Sequence, residues 1–282
     1  MQLTGKTQVY GIIGYPVTHS LSPRMQNAAM QAAEIDGVYV PFEVAPENLP
    51  DAVAGMRALH ISGFNVTIPH KTSIIPLLDE LAPTAMRAGA VNTVVNHAGK
   101  LVGHNTDGDG LVRSLQVDLG CTLAGERVVL IGAGGASRGD LAALCEAGVC
   151  SVVLLNRILE AAELLLADFS KDYPEVQMEA YQTDTCPTPF LSQADLLINA
   201  TSLGMKNEKI AGISLAQMSS HAKVYDMVYK PPVTPLLEEA QYHGLQAANG
   251  LGMLVGQGEI AFQLWHAQEP PPGLMQRVVR SL

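Results

Sequence analysis

A strand that runs into a glycine turn and straight out into a helix leaves a chain few folds to choose from. Residues 127–131 (Arg-Val-Val-Leu-Ile) are apolar enough for a buried strand, and Gly132-Ala133-Gly134-Gly135-Ala136-Ser137 follows at once. The first two glycines let the backbone turn tightly and approach a pyrophosphate. The helix start then offers free N–H groups and the positive end of its dipole to that anion. Ser137 stands where a third glycine often sits, and is small enough to keep the helix close to the sheet. A glycine turn alone is weak evidence. Here the helix continues to about Glu146, Gly148 takes the C′ position, and a second strand at residues 152–155 completes a βαβ unit. That strand ends in Asn156-Arg157, with no carboxylate to bind a ribose 2′-hydroxyl. A guanidinium there either pairs with the 2′-phosphate of NADP or is a solvated surface group.

The units around this turn repeat the strand–helix alternation. A helical stretch covers residues 159–169, two more strands are expected at 195–199 and 223–228, and, after 245–249, helices at about 251–266 and after Pro270-Pro271-Pro272. Such a series implies a parallel sheet with helices on both faces. The first hundred residues also alternate, with strands at 9–14, 38–44 and 63–68. Ser22 reads as the cap and Pro23 as the first residue of a helix to about Glu34. Leu49, Val53, Met56 and Leu59 recur at helical spacing, and 91–96 with 101–105 read as a hairpin. The expected fold class is α/β in two domains: 1–106 plus 251–282, and a doubly wound Rossmann-type domain at 107–250.

Composition removes several function classes. With 17 basic and 27 acidic side chains among 282 residues, net charge −10, there is no basic face for nucleic acid. No apolar run reaches the roughly 18 residues that span a bilayer, and the start lacks a signal-peptide pattern. Cys121, Cys145, Cys150 and Cys186 form no CxxC pair and have no histidine at zinc spacing, so no metal is expected. They read as buried thiols of a protein in a reducing, cytoplasmic compartment.

Four stretches carry hydrogen-bonding groups that packing alone does not ask for. In Thr18-His19-Ser20-Leu21-Ser22-Pro23, capping accounts for Ser22 and leaves Ser20 unexplained. In Gly63-Phe64-Asn65-Val66-Thr67-Ile68-Pro69-His70-Lys71, Asn65 and Thr67 share one strand face, and Lys71 follows at the strand end, where ligands of open α/β sheets gather. Ala90-Val91-Asn92-Thr93 pairs with Gly103-His104-Asn105-Thr106-Asp107-Gly108, whose Asn105, Thr106 and Asp107 either cap a helix or serve a site. Gln257 falls on the apolar stripe of Met253, Ile260 and Leu264, and needs a buried polar partner or a ligand.

Taken together, the stretches GYPVTHSLSP, GFNVTIPHK, AGAVNTVV, GHNTDGDG, IGAGGASRG, LNR, NATSLGM, YDMVYKPPVTPLL and NGLGMLVGQGEIAF resemble the shikimate dehydrogenase family (shikimate/quinate dehydrogenases), in one order along nearly the whole chain. The resemblance implies an NADP-dependent oxidoreductase that reversibly reduces 3-dehydroshikimate to shikimate in aromatic amino-acid biosynthesis. Its partners would be that small-molecule substrate and NADP (NADPH), and the enzyme a monomer or homodimer. It implies Ser20, Ser22, Asn65, Thr67, Asn92 and Gln257 as holders of the substrate hydroxyls and carboxylate, and Lys71 with Asp107 as the catalytic pair, also in contact with substrate. Gly132, Ala133, Gly134, Gly135, Ala136 and Ser137 would hold the pyrophosphate, and Asn156 and Arg157 the adenosine phosphate. Ala200, Thr201, Ser202, Met227 and Gly250, with Gly252 nearby, would line the nicotinamide side, with Tyr229 also reaching substrate. One departure stands out: the family's Asn-Arg-Thr reads Asn156-Arg157-Ile158 here, removing a hydroxyl donor to the 2′-phosphate.

The chemistry needs a proton donor beside the carbonyl oxygen as hydride arrives. A lysine held by an aspartate meets that need, and the sequence leaves open which of the two shuttles the proton. Rival readings are a quinate/shikimate enzyme using NAD, a non-catalytic nucleotide-binding sensor on the same scaffold, and a methylenetetrahydrofolate dehydrogenase. A sensor has no use for Lys71 and Asp107 together. A flat aromatic substrate would want stacking side chains, and aromatic content is 5%.

Overall fold

The structure, a computed structural model describing residues 3–185 and 187–281, arranges the strands in two six-stranded sheets. The first run of elements is β1 (Gln8–Gly14), α1 (Ser22–Ala32), β2 (Gly37–Glu43), α2 (Leu49–Ala58), β3 (Gly63–Val66), β4 (Glu80–Leu81), α3 (Pro83–Ala88), β5 (Thr93–His97) and β6 (Lys100–His104). Then come α4 (Asp107–Leu119), β7 (Arg127–Ile131), α5 (Gly135–Glu146), β8 (Ser151–Asn156), α6 (Leu159–Phe169), β9 (Gln177–Gln182) and α7 (Thr188–Gln193). The chain finishes with β10 (Leu196–Asn199), β11 (Lys223–Asp226), α8 (Pro235–Tyr242), β12 (Gln246–Asn249), α9 (Leu251–His266) and α10 (Leu274–Arg280). It divides into two compact units, Met1–Gly110 with Leu254–Leu282, and residues 111–253. The division expected at 106/107 and 250/251 lies at the first residues of α4 and α9; the units part about one turn further in, because the first turn of α4 is tied into the network of the first unit.

In the first unit the sheet order is β2-β1-β3-β5-β6-β4. β1 runs parallel to β2 and β3, while β3–β5 and β5–β6 are antiparallel, so the sheet is mixed. One face buries Ile13, Phe64, Val94 and Leu101 under Leu49, Val53 and Met56 of α2. Leu59, expected on that apolar stripe, falls just past the helix end and is exposed. The C-terminal segment returns to complete this unit: α10 packs on α1, and Trp265 donates from Nε1 to Val94 O at 3.0 Å. Gly63 is required by that approach, since a Cβ would sit 2.2 Å from the indole nitrogen.

The second unit has the all-parallel order β12-β11-β10-β7-β8-β9. Alternate residues of the same strands feed two cores. Val128, Leu130, Val152 and Leu154 meet α4, α5 and α6, and Val129, Ile131, Val153 and Leu155 meet α7 and α8. Strands buried on both faces read as unbroken apolar runs, which is why they stand out in the sequence.

Several local expectations need correcting. Ser22 is the first residue of α1 rather than its cap, and Leu21 takes the cap position without a side-chain bond. Ser20, a residue earlier, accepts the Ser22 N–H on its Oγ at 3.2 Å. β3 stops at Val66, because residues 67–71 leave the sheet in a turn containing the cis Ile68–Pro69 bond. Cys121 and Cys145 are buried thiols, whereas Cys150 is exposed in the turn before β8; Cys186 lies outside the described residues. Among the described residues no helix is long and apolar enough to cross a membrane, and no cluster of metal-ligating side chains occurs.

Candidate functional site

The register of the first sheet assembles a buried polar cluster. Asn65 of β3 lies directly opposite Thr93 of β5, and Thr93 opposite His104 of β6. Directly opposed side chains share a face, so two strands that neither adjoin in sequence nor look polar overall present their hydroxyl and amide together. Asn65 donates from Nδ2 to Thr93 Oγ1 at 2.9 Å and to Asn92 O at 3.1 Å, while its Oδ1 accepts the Tyr39 hydroxyl at 2.7 Å. Asn92 accepts the Thr106 N–H on Oδ1 at 2.8 Å and donates from Nδ2 to Thr106 Oγ1 and Asp107 Oδ1, both at 2.9 Å. Both N–H bonds of each amide are therefore committed within the protein.

Asp107 Oδ2 accepts from Lys71 Nζ at 2.6 Å, and the two side chains are 9% and 13% exposed. Lys71 is held in place by its backbone, whose carbonyl accepts the Val91 N–H at 2.7 Å. The helix-capping alternative for residues 105–107 is met by Asn105 alone. Its Oδ1 accepts the Asp107 N–H at 3.1 Å and its Nδ2 donates to Ala90 O. That leaves the Asp107 carboxylate free for the lysine, at the helix N-terminus where the dipole favours negative charge. A half-dry ion pair is tolerable when its remaining lone pairs are satisfied, as here by Asn92.

The remaining candidates of this unit lie just after β3, at the start of α1 and within α9. Thr67 follows β3, donating its N–H to Ile13 O, and is half-buried. Ser22 is buried and Ser20 half-buried. Gln257 is 8% exposed; its Nε2 turns back to Leu254 O at 2.7 Å, leaving Oε1 for a ligand. Tyr229, by contrast, belongs to the second unit, where burial pushes its phenol above the usual range.

In the second unit the glycine turn has the expected form. Gly132 adopts φ 110°, with a Cβ position only 2.9 Å from Thr201 Cγ2, and Gly134 caps α5 with open space before it. Gly135, Ala136 and Ser137 form the first turn of α5, whose leading N–H groups lack helical partners. Ser137 is fully buried, as close packing of helix and sheet requires. Beside the turn, at the C-terminal ends of β7, β8, β9 and β10, lies a cavity of about 540 Å³. Gly132, Asn156, Arg157, Asp184, Thr201 and Ser202 are in its wall. This is the crevice where the strand order reverses between β7 and β10, the usual dinucleotide position in such sheets. Arg157 is exposed and carries no ion pair among the described residues. A turn that a side chain would obstruct, free N–H groups and an unpaired guanidinium fit a dinucleotide phosphate group.

Sequence reading passed over a second buried network here. Asp226 accepts from Thr234 Oγ1 at 2.5 Å, Asn199 Nδ2 at 2.9 Å and Val228 N at 3.0 Å, and all three side chains are fully buried. Burial raises the Asp226 carboxyl above its usual range. Asn199 in turn fixes Thr201 through its Oδ1, so the loops after β10 and β11, with Ala200, Thr201, Ser202 and Met227, are braced together. Gly250 is demanded by the same loops: its Cβ would lie 2.0 Å from Met227 O. Two polar residues at the ends of apolar strands, Asn199 and Asp226, and a threonine before Pro235 were the available signal.

Comparison with known proteins then decides the family. The family model described as Shikimate dehydrogenase substrate binding domain matches residues 12–94, Shikimate / quinate 5-dehydrogenase matches 115–229, and Shikimate 5'-dehydrogenase C-terminal domain matches 250–280. The chain belongs to the shikimate dehydrogenase family. A relative from Geobacter metallireducens, named shikimate dehydrogenase (NADP(+)), is 51% identical, covering 99% of this chain and 98% of its own. The solved shikimate 5-dehydrogenase of Listeria monocytogenes, in complex with shikimate and NAD, superposes with TM-score 0.91 at 35% identity, covering 99% of this chain and 98% of that one. That of Thermus thermophilus, in complex with NADP(H) and shikimate, gives TM-score 0.86 at 34% identity, with 97% and 99% covered. In the family's terms the two units are a substrate-binding domain and a Rossmann-like nucleotide-binding domain, the fold class expected from sequence.

Proposed function

We propose that this chain catalyses the reversible NADPH-dependent reduction of 3-dehydroshikimate to shikimate, a step of aromatic amino-acid biosynthesis. The observation that carries the reading is the Lys71–Asp107 contact at 2.6 Å, largely shielded from solvent, in the first unit, with Lys71 inside the stretch matched as substrate-binding. Such a pair has a use in proton transfer and none in simple nucleotide sensing.

When bound, the cofactor supplies hydride to the ring ketone. Negative charge then grows on the carbonyl oxygen. Lys71, with one N–H on Asp107, has two more to stabilise that oxygen and to deliver the proton. Asp107 anchors the ammonium and matches its charge, and in the reverse direction the pair receives the hydroxyl proton. Ser20, Ser22, Thr67, Gln257 and Tyr229 hold the substrate hydroxyls and carboxylate on this reading. Asn65 and Asn92, whose N–H groups are committed internally, hold the frame. Gly132, Ala133, Gly134, Gly135, Ala136 and Ser137 cradle the pyrophosphate. Asn156 and Arg157 take the adenosine phosphate, and Ala200, Thr201, Ser202, Met227 and Gly250 the nicotinamide side. Cytoplasmic residence and a monomeric or homodimeric state complete the reading; light scattering would report the latter.

One observation favours a second cofactor. Ile158 is 57% exposed beside Arg157 and supplies no hydroxyl, and the acidic residue Asp184 is among those lining the same cavity. Use of NAD alongside NADP follows from that balance. The experiment for both readings is a matrix of shikimate and quinate against NADP and NAD, read as kcat/KM. Shikimate with NADP should lead, with NAD a measurable second. Quinate with NAD as the best combination would replace the primary reading.

A further inference from the structure

Tyr39 and Thr93, among the residues of the first unit's polar cluster, are given no task by the proposed reaction. They are 1% and 0% exposed. Hydrogen-bond direction can be assigned along the cluster because two of its members have fixed polarity. The Thr106 backbone N–H can only donate, so the Asn92 atom 2.8 Å away is Oδ1, and Nδ2 must face Asp107. The Asn92 carbonyl can only accept, so Asn65 turns Nδ2 toward it, and the Tyr39 hydroxyl must donate to Asn65 Oδ1. Burial keeps the Tyr39 phenol protonated by raising it well above its ordinary range, against the weaker opposing effect of hydrogen bonding with Ser22.

Thr93 is the link between these two amides. Its Oγ1 accepts from Asn65 Nδ2 at 2.9 Å, which turns its own hydrogen toward Asn92 Oδ1, 3.1 Å away. A valine there would fill the same space and remove both bonds. The Asn92 amide would then lose one of the donors that fix its plane, and Asn65 would keep a buried N–H without its acceptor.

We propose that Thr93, backed by Tyr39 through Asn65, is a positioning residue: its hydroxyl sets the Asn92 amide, which sets the Asp107 carboxylate that Lys71 grips. The inference rests on the reading of Lys71 and Asp107 as the proton-transfer pair. Its reach is through four hydrogen bonds and one ion pair, all inside the first unit.

The test is steady-state kinetics with shikimate and NADP on Thr93→Val, Thr93→Ser, Tyr39→Phe and Lys71→Ala, each assayed well below its melting midpoint. Thr93→Val should lower kcat by about tenfold, the scale of one hydrogen bond, with both KM values within about twofold. Thr93→Ser, which keeps the hydroxyl, should return kcat to within about twofold of wild type. Tyr39→Phe should lower kcat by a few-fold, and decides the matter if Thr93→Val does not fold. A wild-type kcat in Thr93→Val overturns the inference, as does Thr93→Ser equally impaired; if Thr93→Val is unfolded, an unchanged Tyr39→Phe does the same. Lys71→Ala separates the two levels: if it alone loses activity, only the positioning role fails, whereas retained activity in it removes the proton-transfer reading itself.

Discussion

The two units solve different recognition problems with different parts of the chain. The first engages its polar side chains with one another: Asn65, Thr93, Asn92, Thr106 and Asp107 are all at most 6% exposed and mutually bonded. The second fixes Thr201 and Asn156 within its own loops but leaves its phosphate-facing groups open, with Gly134 unobstructed, Ser202 and Arg157 exposed, and the backbone of a glycine turn as the principal contact surface. A group that must transfer a proton gains from having its orientation fixed before the reaction, since reorganisation then costs nothing at the moment of need. A group that must grip a phosphate gains from keeping its donors unpaired, and a glycine turn achieves that with no side chain in the way.

The sharpest way to break this contrast is Lys71→Ala. It should lower kcat by about 10²–10⁴ while KM for NADP is little changed, measured by steady-state kinetics; a loss confined to NADP binding would erase the division of labour. Next, Gly250→Ala should cost about 1–3 kcal/mol in urea unfolding, because its Cβ meets a backbone carbonyl that cannot rotate away. Arg157→Ala should raise KM for NADP by about tenfold and leave NAD nearly unchanged, the signature of a cation facing the 2′-phosphate. Equal effects on the two cofactors would mean that the guanidinium is a solvated surface group.

The smallest expected effect is a difference in pH response between the units. In the first, the rings of Tyr10 and Phe262 bury His266 and push it down to about 4 from 6.5. A base depressed on folding gives stability that is complete above pH 6.5 and is lost as pH falls toward 4. His266→Gln should flatten that fall by on the order of 1 kcal/mol, since the ring is only half-buried. In the second unit Asp226 acts in the opposite sense. Its raised carboxyl contributes below its unfolded value of 3.8, and that contribution is lost as pH rises through the higher folded value. Thermal melts of the wild type and of His266→Gln across that range would separate the histidine's part from the remainder.

The second unit was the more legible in the sequence, for a physical reason. Its strands β7, β8 and β10 are buried on both faces, so they appear as apolar runs between turns. Its edge strand β9 (Gln177–Gln182) has no fully buried residue and left no such trace, so the Asp184 side of the cavity went unread. In the first unit the individual polar residues were visible, yet their grouping was not. Asn65 and Thr93 meet through an antiparallel register that no local pattern encodes, and Tyr39 looked like an ordinary strand residue. Capping was misplaced by one residue at α1 because several hydroxyls and amides compete for each helix start, and only geometry chooses among them. The family resemblance supplied the substrate, which neither periodicity nor charge could have named.

The return of residues 254–282 to the first unit also sets a sequence of events at the ribosome. Gln26 awaits Gly258, Thr106 awaits the Gln257 carbonyl, and the strand edge at Val94 awaits Trp265. The second unit, residues 111–253, is fully translated before any of those contacts can form. A released chain truncated near residue 253 would thus contain every residue of the cofactor half and lack the last helices of the reaction half, so premature termination late in the message should yield a binder without a turnover.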